Sequence, residues 1–146
     1  MLFRSNAALS GRKTFFFLVE IDECQPYMDI AILADISLSM QDSHRSELIK
    51  IVHKLVDELR VSETGHHFGF ATFAVNATIH SNFSNPSYYN ATNLKKKVKE
   101  AVESRPNRSS TRIDLVMNLM ETELFTRDGG DRPDARNILL DRKSVV

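Results

Sequence analysis

The sequence predicts an α/β fold, with an open, mostly parallel sheet, helices on both faces and one antiparallel edge strand. Three observations carry that expectation. Residues 30–34, Ile-Ala-Ile-Leu-Ala, are an unbroken apolar run, the pattern of a strand covered on both faces. Leu48, Ile51, Val52, Leu55, Val56 and Leu59 then recur at three- and four-residue spacing, which marks one apolar face of a helix. Between a second apolar strand, Phe68–Ala74, and a short third strand, Thr78–His80, only Val75-Asn76-Ala77 intervenes. A connection that short cannot cross over the sheet, so those two strands pair antiparallel.

The elements follow in chain order. The first strand leads into Asp35-Ile36-Ser37-Leu38-Ser39, a polar loop at its carboxyl end. Asp42 or Ser43 is expected to cap the first helix, which has Glu47 in its opening turns and ends near Arg60. Lys50, His53, Lys54, Asp57 and Glu58 lie off its apolar stripe and read as solvated. Residues 61–65 form a turn. His66 and His67 are neighbours in an extended segment, so they make a poor metal pair and read as surface residues at a strand start. Gly69 suits a close approach by a helix or backbone.

Residues 81–90 read as a loop. Leu94, Val98, Ala101 and Val102 mark a second helix, around which Lys95, Lys96, Lys97 and Lys99 read as a solvated face. Ile113, Leu115, Val116, Leu119, Met120 and Leu124 fit a third helix. After a Gly/Asp/Arg/Pro-rich connection, residues 137–140, Asn-Ile-Leu-Leu, begin a further buried strand.

The 146 residues suffice for one domain with a real core. Nineteen basic residues balance nineteen acidic ones, so no global field draws the chain to nucleic acid or anionic lipid. No apolar stretch approaches membrane-spanning length. Residues 1–26 read as a poorly ordered arm or leader remnant. They combine basic residues with the short apolar run at 15–19, but no small-x-small cleavage site follows. The rest, 27–146, reads as the folded part. Four N-glycosylation sequons, at Asn76, Asn82, Asn90 and Asn107, favour an extracellular chain. The single cysteine, Cys24, has no partner within the chain.

Asp35-x-Ser37-x-Ser39 carries the chemistry. One carboxylate and two hydroxyls are hard oxygen donors, suited to Mg²⁺, Mn²⁺ or Ca²⁺ rather than soft metals. A set with one carboxylate leaves the ion net positive, so an open position could accept a carboxylate from outside. The competing reading is an ordinary polar strand-to-helix loop. Enzyme signatures are missing: there is no Gly-x-Ser-x-Gly elbow, phosphate-cradling glycine loop or His-Glu-x-x-His. Of the five histidines only His44 lies close in sequence to the loop.

Residues 28–40, with Gly69-Phe70-Ala71-Thr72-Phe73, residues 110–115 (Ser-Thr-Arg-Ile-Asp-Leu) and the segment 129–137, resemble the von Willebrand factor type A domains. The resemblance spans about residues 27 to 141. It implies a Rossmann-like topology and a metal site that binds the carboxylate of an extracellular protein ligand, such as a matrix protein or collagen-like chain. It also implies that Thr111 supplies a further metal oxygen, where the alternative is a simple helix cap. The family's fourth strand ends in Thr-Asp-Gly, whose aspartate completes the site through water. Here residues 139–144 read Leu-Leu-Asp-Arg-Lys-Ser, so Asp141 is either that aspartate in an altered frame or the start of an unrelated tail. The resemblance further implies a disulfide from Cys24 to a segment outside this chain. It implies as well that the last strands are missing, giving a truncated domain of low stability. A structural assembly domain with a vestigial metal site, or a non-functional fragment, is the alternative function.

Overall fold

The computed structural model describes residues 27–104 and 110–142. The arm 1–26, Cys24 and Asn107 lie outside them. Four strands form one sheet: β1 (Met28–Asp35), β2 (His67–Phe73), β3 (Ala77–Ser81) and β4 (Arg136–Arg142), in the order β3-β2-β1-β4. β1 is parallel to both β2 and β4, and β3 runs antiparallel to β2. The expected mixed sheet is therefore present, with β1 inside it and buried along its whole length.

Alternation along β1 divides the core. Met28, Ile30, Ile32 and Ala34 face one side, where α1 (Asp42–Leu59) contributes Leu48, Val52 and Val56 and α2 (Ala91–Glu103) contributes Leu94, Val98, Ala101 and Val102. Ala31 and Leu33 face the other side. There they meet Phe73, Phe83 and, from α3 (Ile113–Leu119) and the turn after it, Val116, Met120 and Leu124. Helices thus cover both faces, as the unbroken apolar run requires. No described helix is long and apolar enough to cross a membrane.

Several local expectations are corrected. Gln41, not Asp42 or Ser43, occupies the cap position of α1. It is extended and makes no side-chain cap bond, and Asp42 opens the first turn. The helix does end at Arg60, which adopts φ 51°. Residues 81–90 are not all loop: Pro86–Tyr89 forms a 3-10 turn opened by the Asn85 carboxamide, which accepts the Ser87 N–H. The third helix loses α-helical spacing after Leu119. Its last turn, Met120–Leu124, widens to a π-turn closed by Phe125 N–H on the Met120 carbonyl at 2.8 Å. That turn presses Leu124 onto the sheet at Gly69, where an added Cβ would sit 2.8 Å from a Leu124 methyl. The close approach expected at Gly69 is real.

His67 is not a surface residue, and His66 is half-buried. His67 is 4% exposed and stacks on Tyr89 with centroids 4.3 Å apart. His66 Nδ1 accepts the Met28 N–H at 3.0 Å. Beside them Asp29, fully buried, accepts from Arg132 Nε at 2.9 Å, Nη2 at 2.6 Å and the backbone N–H at 2.8 Å. The same guanidinium donates to the Gly65 and Met28 carbonyls and lies 4.6 Å from the Tyr27 ring centroid. Buried ionic groups persist only when their remaining hydrogen-bonding capacity is met. Here one arginine fork ties the start of β1 to the turn before β2 and to the approach to β4.

Candidate metal centre

The loop after β1 is built from its own backbone outward. Ile36 N–H donates to the Phe73 carbonyl at 3.0 Å, carrying the β1–β2 ladder one step past Asp35. Asp35 Oδ1 then accepts the Ser37 N–H at 2.8 Å, a local side-chain turn that bends the chain off the sheet. Met40 N–H closes the next turn on the Ser37 carbonyl. Asp35 and Ser37 are buried, Ser39 is exposed, and Leu38 between the serines is 47% exposed.

The two serine hydroxyl oxygens lie 3.0 Å apart. Adjacent ligands of an octahedral Mg²⁺, each at about 2.0–2.1 Å, are about 2.9 Å apart. The pair therefore fits one edge of such a shell. Carboxylate and hydroxyl oxygens are also the right chemistry for a hard ion. Among the described residues no three His, Cys, Asp or Glu side chains gather as a metal cluster, so this candidate rests on hydroxyls around one carboxylate.

Arg45 holds the loop in place. It is 4% exposed and donates to the carbonyls of Ile36 (2.8 Å), Ser37 (3.0 Å), Met40 (3.3 Å) and Val102 (2.7 Å). Two of these acceptors are the loop residues on either side of the Ile36–Ser37 peptide. The last belongs to the final turn of α2. One planar fork thus locks loop, α1 and α2 together, which a point-charge lysine could not do. The reading from sequence missed Arg45, although the signal was there. It falls three residues before Leu48 and seven before Val52, on the apolar stripe, where a cation must find internal acceptors.

Thr111 comes to the same end of the sheet. Arg112 N–H donates to the Ala74 carbonyl at 2.8 Å, next to the Phe73 carbonyl that anchors Ile36. Both segments therefore hang from the last residues of β2 and the one beyond it. Thr111 is exposed and does not cap α3: Arg112 takes the cap position, without a side-chain cap bond. Arg112 instead grips Asp114 through two bonds of 2.9 and 2.7 Å, and these hold the Asp114 carboxyl below its usual range.

Asp141 is not brought level with the loop. The β1–β4 register pairs it with Leu33, two residues before Asp35, or about 7 Å along the strand. It lies on the same face as Asp35 but one pleat lower. Among the sequon asparagines, Asn76 and Asn90 are exposed and Asn82 half-buried. Asn90 also caps α2, accepting the Asn93 N–H at 3.1 Å.

Comparison with known proteins bears on this geometry. No curated protein matches the chain. Among solved structures it is similar to proximal thread matrix protein 1 from the mussel byssus, at 21% identity and a TM-score of 0.70, over 82% of this chain and 31% of that one. A second structure of that protein, described as having a zinc-occupied MIDAS motif, matches with a TM-score of 0.66 at 21% identity, over 83% of this chain and 30% of that one. The chain thus spans about a third of the length of these neighbours. The family model for the von Willebrand factor type A domain matches residues 29–140. The chain belongs to the von Willebrand factor type A domain family.

Proposed function

We propose that this chain is an extracellular adhesion or matrix module that engages a carboxylate of a protein partner through a divalent ion. The observation that carries the proposal is the Ser37–Ser39 oxygen pair, 3.0 Å apart and set beside buried Asp35 at the carboxyl end of β1. Asp35, Ser37, Ser39 and Thr111 would hold the ion, with Mg²⁺ or Mn²⁺ the best match to the donor set. When bound, the ion supplies a positively charged coordination position for an outside carboxylate. The chain's own part is to fix the ligands. Asp35 sets the turn through the Ser37 N–H, and Arg45 clamps the carbonyls behind it. The zinc-occupied MIDAS motif described for the mussel protein supports the divalent-ion reading. The sequons and that protein's byssal origin support an extracellular setting.

Isothermal titration with Mg²⁺, Mn²⁺ and Zn²⁺ on the wild-type chain and on Asp35→Ala tests it. Metal at a hundred times its dissociation constant should stabilise the wild type by about 2.7 kcal/mol and leave Asp35→Ala unmoved. Equal heats, or none, in both proteins reject the ion. A structural assembly role with a vestigial site is the second reading, favoured by Asp141 lying one pleat short of the loop. Partner binding that survives chelation would select it.

A further inference from the structure

Among the described residues β3 is an edge strand of the sheet, so half of its backbone groups point away from β2. An uncovered row of that kind is a template for pairing with another chain. Proteins blunt such edges with lysine, proline or inward-pointing charges, yet residues 77–81 are Ala-Thr-Ile-His-Ser and carry none of these. Burial and Lys97 both push the His80 pKa down, which favours its neutral form. The register shift between Phe70 and Ala71 bends the pair, and among the described residues no strand pairs with the outer row.

Two sequons bracket this strand. Asn76 immediately precedes it and Asn82 immediately follows it, roughly 20 Å apart along an extended chain. Both are placed to carry a glycan in the folded protein. Asn76 and Thr78 of the first sequon are exposed. In the second, Phe83 is the inward residue. It is 1% exposed, its N–H is bound to the Gly129 carbonyl and its own carbonyl accepts the Tyr89 hydroxyl. Asn82 and Ser84 flank it toward solvent. Their bond runs from the Ser84 hydroxyl to Asn82 Oδ1 at 3.2 Å, so it uses the oxygen and leaves the amide nitrogen, the atom a glycan joins. Asn90, also exposed, sits at the start of α2 rather than beside the strand. No sequon adjoins β4.

We infer that N-linked glycans at Asn76 and Asn82 shield the open edge of β3, keeping that side of the sheet from pairing with a second copy of the chain. The inference rests on the extracellular reading above and not on the metal site.

The test is the full chain secreted from cultured eukaryotic cells behind a host leader, compared with Asn76→Gln/Asn82→Gln and with Asn90→Gln. Peptide mass mapping with and without amidase release of glycans reads occupancy, and light scattering over a concentration series reads mass. Glycans on Asn76 and Asn82 are expected. The double variant should gain at least twofold in weight-average protein mass at concentrations where wild type and Asn90→Gln do not. Hydrogen exchange in its associated form should slow at residues 77–81. If the double variant misfolds by circular dichroism, Thr78→Val/Ser84→Ala removes both sequons while keeping the asparagines, and the same mass gain is expected of it. Bare Asn76 or Asn82 beside an occupied Asn90, or unchanged mass in the sugar-free variants, overturns the inference. The extracellular reading fails separately, if every sequon is bare in protein from its natural source.

Discussion

Replacing Arg45 with methionine should be among the most damaging single changes in the domain, and it should act on the metal loop. The side chain is 4% exposed and donates to four carbonyls, three of them within 3.0 Å. Methionine fills similar space but donates nothing, so the carbonyls of Ile36, Ser37 and Val102 lose their charged donor. Each buried acceptor left unsatisfied costs about 1–3 kcal/mol, and neighbours and water recover part of that loss. A net loss of about 3–5 kcal/mol follows, a large share of the 5–15 kcal/mol, roughly, by which domains are stable. The assay is urea unfolding with and without saturating Mg²⁺. The midpoint should fall in metal-free buffer, and the metal-induced increment should shrink as well, because the Ser37 carbonyl positions the hydroxyl beside it. A variant within 0.5 kcal/mol of wild type, with its metal increment intact, would refute both the clamp and its link to the loop.

Two further outcomes follow from the opposite end of β1 and from the loop before β4. Burial first, and then the Arg132 charge, push His66 and His67 below the ordinary 6.5, although the Glu63 carbonyl partly opposes the shift at His67. The folded state therefore binds fewer protons than the unfolded chain in acid. Stability should be complete above about pH 6.5 and fall as pH drops through that value toward the folded pKa values. Denaturant midpoints at pH 7.5, 6.5 and 5.5 check this, and His67→Phe, which keeps a ring on Tyr89, should flatten the slope. Separately, Gly130 has φ 90° and its added Cβ would meet the Ser84 backbone nitrogen. Gly130→Ala should therefore lose about 1–3 kcal/mol from the strained backbone alone, read as a shift in urea midpoint.

The legible parts of the fold were those set by local period. The β1 run, the α1 and α2 stripes and the short antiparallel β3 all depend on patterns within a few residues, and each stands where the period placed it. β2 is shifted by one residue, since its start is set by pairing of His67 with Asp29. β4 extends to Arg136–Arg142, past the apolar core of residues 138–140, because the ladder with β1 continues beyond the apolar side chains. The π-turn was invisible for the same kind of reason: Leu124 is drawn onto Gly69 by packing, not by its spacing from Met120. At the candidate site, Asp35, Ser37 and Ser39 were readable as candidates because they alternate within one short segment. Arg45 and the Asp29–Arg132 pair were not, since what satisfies them lies far off in sequence: Val102 for Arg45, and 103 residues between Asp29 and Arg132. The histidines were misread because neither Tyr89 nor Arg132 is nearby in sequence.

Buried Arg45 and half-buried Arg132 brace opposite ends of one strand, and that separation has a measurable consequence. Arg132 grips Asp29 at the start of β1, whereas Arg45 grips the carbonyls just past Asp35. The eight residues of β1 put these clamps about 25 Å apart, and they share no acceptor. Lysine at either site keeps the charge but loses the planar fork. Arg45→Lys and Arg132→Lys should each cost about 1–3 kcal/mol, and the double variant should equal their combined effect within about 0.5 kcal/mol. The functional readout should divide where stability does not. Arg45→Lys should weaken the response to Mg²⁺, while Arg132→Lys lowers stability and leaves that response as it is. Coupling above about 1 kcal/mol, or a metal response lost with Arg132→Lys, would mean that β1 transmits strain along its length and that the loop has no brace of its own.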